Sequence, residues 1–151
     1  MHNHELYYYL RLGVMISKQT QHVDKRVRRS ILVCDDESDL LLMFQIHLES
    51  QYDVLTVESG RECIDKIIEI KKKNGKIDLV LLDYKLGDIS GENVARKIRE
   101  IEKNIKILMI TAFELEDHVV KNMIKNRYIN DIINKPIQLE ELSKKIEEHL
   151  D

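Results

Sequence analysis

The fold is set by the stretch Ile77-Asp78-Leu79-Val80-Leu81-Leu82-Asp83, together with the earlier run Ser30-Ile31-Leu32-Val33-Cys34, which Asp35 and Asp36 follow. Both apolar runs are short, rich in leucine or β-branched residues, and do not alternate with polar residues. This is typical of strands that are buried on both faces of a parallel sheet. Each predicted strand ends in carboxylate side chains, which we expect to be exposed. The carboxyl ends of such strands line one crevice of an open α/β sheet, where ligands bind.

Extended and helical patterns alternate five times after residue 30. We predict strands at 31–34, 53–57, 79–82, 106–110 and 129–133, and amphipathic helices at 38–49, 60–73, 92–102, 114–125 and 139–150. Alternating units of this length imply parallel strands joined by right-handed crossovers and covered by helices on both faces. Five strands are too few for an eight-stranded barrel. We therefore predict an α/β, flavodoxin-like (βα)5 doubly wound open parallel sheet with strand order 2-1-3-4-5, which reverses between strands 1 and 3.

Length and charge indicate one folded domain preceded by a basic segment. The chain has 151 residues, of which 43% are hydrophobic, enough for a single domain. We divide it into an N-terminal extension, residues 1–30, and a domain, residues 31–151. The extension carries a net charge of +4 and the domain −7, for a total of −3. A basic arm can bind nucleic acid or acidic lipid, but the acidic domain argues against direct nucleic-acid binding.

The start of the chain gives no sign of export. No segment approaches the ~20 apolar residues of a membrane span, and residues 1–5 lack the features of a signal peptide. We therefore expect a cytoplasmic protein that does not bind membranes, with Cys34 and Cys63 as reduced core residues. The triplet Tyr7-Tyr8-Tyr9 leaves three interpretations open: a packed helix or strand, a disordered segment, or an upstream extension if translation begins at Met15.

Several chemically reactive side chains are predicted to lie near the point where the strand order reverses. Asp35, Asp36 and Asp83 would bring three negative charges together, and their repulsion is costly unless a cation lies among them. We predict Mg²⁺, which takes carboxylate oxygens and leaves positions for phosphate oxygens. An aspartate beside such a metal can act as a nucleophile and form an aspartyl-phosphate. Thr111 and Lys135 follow strands 4 and 5, where they can hydrogen-bond and pair with a phosphoryl group.

A structural explanation exists for each of these residues alone. A single aspartate after a strand is usually a turn former or a helix cap, so Asp36 or Asp39 would cap the first helix. Thr111 would similarly cap the helix at 114–125. Three acids at one switch point, with a lysine and a threonine at neighbouring strand ends, favour a functional site over a set of unrelated caps.

Five sequence anchors occur in order, each at the end of a predicted strand or in the loop that follows one. They are Asp35-Asp36 within 31–37, Asp83 in Leu81-Leu82-Asp83-Tyr84, Gly91, Thr111-Ala112 and Lys135-Pro136. With these anchors, residues 31–150 closely resemble the receiver domain of two-component response regulators, over about four-fifths of the chain.

The resemblance implies a role for each site residue. A histidine kinase or histidine phosphotransfer protein would phosphorylate Asp83 from its phosphohistidine. Asp36, Asp83 and the backbone carbonyl of Lys85 would ligate Mg²⁺, with Asp35 acting mainly through the water shell of the metal. Thr111 would move toward the phosphoryl oxygens and Lys135 would pair with them. In this family the Lys135-Pro136 bond is usually cis.

Two positions depart from the family pattern. The family usually has an aromatic residue three positions before the lysine, whose rotation reports phosphorylation, but this chain has Ile132 there. Tyr128 lies too far from Lys135 to take that role. The usual proline four residues after the acceptor is Gly87, which suggests a looser loop. Phosphotransfer is compatible with both changes, whereas the output mechanism must differ from aromatic rotation.

We therefore expect a single-domain response regulator that signals through a downstream protein target or by onward phosphotransfer. A homodimer through the fourth and fifth helices and the intervening strand is also compatible with the resemblance. A Mg²⁺-dependent phosphatase is a second hypothesis, but such enzymes commonly need an acid two residues after the nucleophile, where this chain has Lys85. A receiver used only as an interaction module is a third hypothesis, and the intact acidic set argues against it.

Overall fold

The computed structural model describes residues 27–112, 115 and 117–151. Within these residues the strands are Ser30–Cys34 (β1), Asp53–Val57 (β2), Leu79–Asp83 (β3), Lys106–Thr111 (β4) and Asp131–Asn134 (β5). The helices are Ser38–Leu48 (α1), Gly60–Lys72 (α2), Gly91–Ile101 (α3), Asp117–Lys125 (α4) and Leu139–Leu150 (α5). The prediction about Tyr7-Tyr8-Tyr9 and Met15 lies outside the described residues.

The strands form one parallel sheet in the order β2-β1-β3-β4-β5. This confirms the predicted flavodoxin-like (βα)5 fold and places the reversal of strand order between β1 and β3. β3 is buried along its whole length, and β1 and β4 are buried except at their first residues. The apolar runs without alternation are therefore strands buried on both faces, as the pattern predicted.

Helices cover both faces of the sheet and create two apolar cores. α2, α3 and α4 enclose the first core, which contains both cysteines as free, buried thiols. α1 and α5 enclose the second core around Phe44, Leu142 and Ile146. Burial of a side chain of this size stabilises the fold by about 1.5–3 kcal/mol. None of the helices in the described part of the chain has the length and apolar character that crossing a bilayer requires.

The fifth strand differs from its prediction. We predicted residues 129–133, whereas β5 spans Asp131–Asn134. The side-chain oxygen of Asn130 accepts a hydrogen bond of 2.8 Å from the backbone N–H of Ile107. An amide side chain thus takes the donor that a backbone carbonyl would take in a regular strand, and the regular pairing begins one residue later.

A side-chain cap marks the start of α2 but not the start of α1. The Ser59 hydroxyl accepts the N–H of Glu62 at 3.1 Å and thus caps the start of α2. At α1 the cap position belongs to Glu37, whose side chain makes no cap hydrogen bond. Neither Asp36 nor Asp39 therefore occupies the N-cap position, and Asp39 lies in the first turn of α1. α4 begins at Asp117 rather than at position 114, and positions 113, 114 and 116 lie outside the described residues.

Gly91 provides a test of how closely α3 approaches the end of β3. A Cβ atom at Gly91 would lie 2.4 Å from the carbonyl oxygen of Asp83 and 2.8 Å from the Cα of Tyr84. We expect Gly91→Ala to lower the free energy of unfolding by about 1–3 kcal/mol, because backbone atoms must move to admit the methyl group. Urea unfolding followed by circular dichroism measures this change.

Gly87→Ala is the matched control for that measurement. Its Cβ would lie 3.8 Å from Asp36 Oδ2, an ordinary contact, and none of the described glycines has a positive φ. We expect its effect to stay within about 0.5 kcal/mol. Equal stabilities for the two variants would contradict the close approach of α3.

Candidate functional site

Strand register brings the three predicted acids together. Cys34 at the end of β1 pairs with Leu82 in β3, so the next residue along each strand, Asp35 or Asp83, lies at the same level of the sheet. Asp36 follows in the turn before α1. One carboxylate oxygen from each of Asp35, Asp36 and Asp83 lies within 4.8 Å of the others. The crevice at the switch point is therefore lined by three acids, as the sequence indicated.

Lys135 and Thr111 reach this crevice from β5 and β4. Thr111 pairs with Asn134, and the N–H of Lys135 donates to the carbonyl oxygen of Thr111 at 2.8 Å. The ammonium nitrogen of Lys135 lies 3.4 Å from Asp35 Oδ2 and 3.6 Å from Asp83 Oδ2. The Lys135-Pro136 bond is cis, as the family resemblance implied. All five predicted strand-end residues thus occupy one edge of the sheet.

The acids are less exposed than we expected. Asp35 is 1% and Asp83 4% exposed, and of the three only Asp36 is exposed. Thr111 is 1% exposed. The expectation of exposed carboxylates is therefore wrong for Asp35 and Asp83. Asp35 follows β1 and Asp83 ends β3, and each of these central strands has a neighbouring strand on both sides.

Burial and mutual repulsion shape the proton affinities of the acids. Desolvation and then the charge of Asp35 raise the pKa of Asp83 to about 6, although Lys135 and the N–H of Lys85 oppose this shift. Desolvation also raises the pKa of Asp35, against hydrogen bonds from the Glu37 N–H and Lys135. Negative charge in this crevice is thus costly in the absence of a further cation.

Lys135 responds in the opposite sense. Burial alone would lower the pKa of its ammonium group, but the carboxylates of Asp35, Asp83 and Glu37 together raise it. The lysine therefore stays charged at neutral pH and offsets part of the negative charge.

The loop after β3 borders a cavity above the acids. The cavity has a volume of about 350 Å³ and is lined by Asp36, Glu37, Asp83, Lys85, Leu86, Gly87, Ala112 and Lys135. The side chain of Leu86 is buried beneath this loop, whereas Lys85 is exposed. The space is large enough for a cation together with a phosphoryl group.

The donor set fits the predicted metal. Hard cations such as Mg²⁺ bind carboxylate and carbonyl oxygens and retain several waters. Asp35, Asp36 and Asp83 offer oxygens within one small cluster, and the raised pKa values of Asp35 and Asp83 indicate that the cluster favours added positive charge. The residues present are therefore suited to Mg²⁺.

Glu37 is a site residue to which sequence reasoning assigned no role. Its Oε1 lies 3.5 Å from the ammonium nitrogen of Lys135, at the mouth of the cavity. The signal was present, because Glu37 directly follows Asp35 and Asp36 and precedes α1. The contact partner of Glu37 becomes visible only in the structure, because Lys135 lies 98 residues later in the chain.

The chain also matches known proteins. The family described as "Response regulator receiver domain" matches residues 31–147. The alkaline phosphatase synthesis transcriptional regulatory protein PhoP of Bacillus subtilis is 31% identical over 121 residues, which cover 80% of this chain and 48% of PhoP. The phosphate regulon transcriptional regulatory protein PhoB of Pseudomonas aeruginosa is 32% identical, over 77% of this chain and 49% of PhoB. The chain thus spans about half the length of these relatives.

Solved structures agree with this assignment. A CheY-like response regulator receiver domain from Methanospirillum hungatei superposes with a TM-score of 0.73 and 27% identity, covering 83% of this chain and 95% of that domain. The response regulator TrrA of Thermotoga maritima, solved with Mg²⁺ and BeF, gives a TM-score of 0.67 and 30% identity, covering 81% and 99%. The chain therefore belongs to the response regulator receiver domains of two-component systems, a family of phosphoacceptor signalling domains that bind Mg²⁺ at an acidic pocket and interact with histidine kinases and downstream effectors.

Proposed function

We propose that this protein is a response regulator whose receiver domain accepts a phosphoryl group on Asp83 in a Mg²⁺-dependent reaction. The donor would be the phosphohistidine of a histidine kinase or of a histidine phosphotransfer protein. The observation that carries the proposal is the convergence of Asp35, Asp36 and Asp83 within 4.8 Å, with the Lys135 ammonium beside two of them.

Each residue has a defined part in this reaction. An oxygen of Asp83 attacks the phosphorus atom, and the P–O bond forms as the P–N bond of phosphohistidine breaks. Asp36, Asp83 and the carbonyl of Lys85 would hold Mg²⁺, and Asp35 would order its waters. The ion would neutralise charge on the phosphoryl oxygens. Lys135 pairs with those oxygens and Thr111 donates a hydrogen bond to one of them.

In this function Asp83 accepts a phosphoryl group, and the protein does not catalyse a reaction on external substrates. Lys85 stands two residues after Asp83, where a phosphatase would commonly need a general acid or base. Phosphorylation of Asp83 changes the charge of the acidic site. This local change would shift the equilibrium between two conformations of the surrounding surface. Ile132 gives that surface no aromatic reporter, so its output must come from packing around the site.

We further propose that the output is protein binding or onward phosphotransfer in the cytoplasm, without direct contact to nucleic acid or membrane. The acidic character of residues 31–151 supports this choice, because nucleic-acid binding depends on basic surface. A phosphorylation-dependent homodimer through α4, β5 and α5 is compatible with the same function.

Intact-mass measurement tests the acceptor directly. Purified protein incubated with Mg²⁺ and acetyl phosphate should gain about 80 Da, the mass of one phosphoryl group, through an aspartyl-phosphate. Asp83→Asn should show no gain, because the amide is not a nucleophile for this transfer. Omission of Mg²⁺ should also abolish the gain.

Asp53→Asn is the matched control, since Asp53 lies at the amino end of β2, on the opposite edge of the sheet. It should gain the same mass as the wild type. A gain that persists in Asp83→Asn would place the acceptor elsewhere. If the wild type binds Mg²⁺ but gains no mass from acetyl phosphate or from a phosphorylated kinase, the phosphoacceptor function is wrong.

The raised pKa of Asp83 predicts how stability depends on pH. Its pKa is about 6 in the folded protein and 3.8 for an ordinary aspartate, so between these values the folded state binds more protons than the unfolded state. Stability of the metal-free protein should therefore fall as the pH rises through this window. Above it, Asp83→Asn should raise the free energy of unfolding by about 2–3 kcal/mol, because 1.36 kcal/mol corresponds to one pKa unit.

Urea unfolding in a chelating buffer at pH 4 and pH 7 measures this difference. The advantage of Asp83→Asn should shrink toward pH 4, where the wild-type carboxyl also becomes neutral. Added Mg²⁺ should stabilise the wild type more than Asp83→Asn, because a ligand that binds only the folded state stabilises it. The same advantage at both pH values would contradict the electrostatic account.

A further inference from the structure

The loop between β3 and α3, residues 84–90, is held by backbone hydrogen bonds at both ends. At its start, the N–H of Tyr84 donates to the carbonyl oxygen of Ile110 at 2.8 Å. At its end, the N–H of Gly91 donates to the carbonyl oxygen of Tyr84, also at 2.8 Å. The Ser90 hydroxyl caps α3 by accepting the N–H of Asn93. The segment between these ends, Lys85 to Gly87, borders the acidic cavity.

One side chain in the loop reaches across to a different helix. Asp88 Oδ1 accepts the N–H of Gly60 at 2.9 Å, and Oδ2 accepts the N–H of Arg61, also at 2.9 Å. These are the first two amides of α2, which have no partner within the helix. Negative charge is also favoured at a helix amino end.

The charge state of Asp88 is consistent with this contact. Desolvation alone would raise the pKa of its carboxyl group, but the N–H groups of Arg61 and Gly60, with those of Ile89 and Asp88 itself, outweigh it and lower the pKa. Asp88 is therefore ionised at neutral pH and holds the amides by charge-assisted hydrogen bonds.

Packing at the same place is tight. A Cβ atom at Gly60 would lie 2.5 Å from Cγ1 of Ile89 and 2.7 Å from Cγ2 of Val94. The start of α2 therefore sits directly against the loop and α3, with no room for a larger residue. Asp88 and Gly60 together fix the distance between the loop and α2.

We propose that Asp88 is a positioning residue, whose carboxylate fastens the Lys85–Gly87 segment to α2 and thereby sets the affinity of the acidic site for Mg²⁺. This inference rests on the proposed function, in which the Lys85 carbonyl is a metal ligand. The family's usual proline is Gly87 in this chain, so backbone stiffness at that position is reduced. The link from Asp88 to α2 restrains the segment instead.

Calorimetric titration of Mg²⁺ into the full chain tests this role. Asp88→Ala removes both acceptors and should weaken Mg²⁺ binding on the order of 10-fold, the usual effect of losing a group that orients a metal ligand. Asp88→Asn keeps one acceptor oxygen and should fall between Asp88→Ala and the wild type. Amide hydrogen exchange should be faster at Lys85, Leu86 and Gly87 in Asp88→Ala, with or without Mg²⁺.

Ser59→Ala is the matched control. Ser59 caps the same helix through the N–H of Glu62 and is not among the residues that line the cavity. Its loss weakens the start of α2 without releasing the loop. We expect Ser59→Ala to bind Mg²⁺ as tightly as the wild type and to leave exchange at residues 85–87 unchanged.

Each outcome is decisive. If wild type and Asp88→Ala bind Mg²⁺ equally, the positioning role is overturned and the proposed function stands. If Ser59→Ala weakens binding as much as Asp88→Ala, helix stability rather than loop position is the cause, and the inference again fails alone. If the wild type binds no Mg²⁺, the proposed function and the inference that rests on it both fail.

Discussion

Like-charge repulsion at the carboxyl edge of the sheet is the constraint on which the rest of the site depends. Asp35 and Asp83 are buried at the same level of two adjacent strands, and Asp36 lies beside them. A fold has little reason to bury such a cluster for its own stability, since desolvation and mutual repulsion both oppose ionisation. Lys135 offsets part of this charge from the end of β5. The site therefore carries an imbalance that a cation, a proton or a rearrangement can relieve.

The uncompensated negative charge of the site is the property that phosphorylation of Asp83 would change in the proposed function. Asp35 and Asp83 lie at the ends of β1 and β3, whereas Lys135 reaches the same crevice from the end of β5. In the proposed function the charge at Asp83 changes, and we expect the groups around the central strands, rather than the strands themselves, to respond. Ile132 lies in β5, and its carbonyl oxygen accepts a hydrogen bond of 3.0 Å from the ammonium group of Lys145 in α5. A change in the position of β5 would therefore be transmitted to α5 without an aromatic side chain.

Much of the fold was predictable because its signals are local in the sequence. Apolar runs without alternation identified the central strands, and the acids that follow them identified the switch point. The start of β5 was not predictable, because it depends on a hydrogen bond that the backbone N–H of Ile107, 23 residues earlier in the chain, donates to the side-chain oxygen of Asn130. The burial of Asp35 and Asp83 was missed for a related reason. An acid after a strand suggests exposure, and only its neighbours in the sheet show otherwise.

The Asp88 contact was likewise not predictable from local sequence patterns. It joins residues 27 and 28 positions apart, and neither Asp88 nor Gly60 forms a pattern that sequence inspection would select. Yet the loop it restrains borders the acidic cavity, while the acids themselves are fixed by the sheet. In the proposed function the Mg²⁺ ligands combine strand-end carboxylates with the Lys85 carbonyl, so the order of the ligand set would depend on the order of the loop. If the proposal is right, the site depends on two kinds of contact: strand register brings its charges together, and the hydrogen bonds from α2 to Asp88 set the position of the loop.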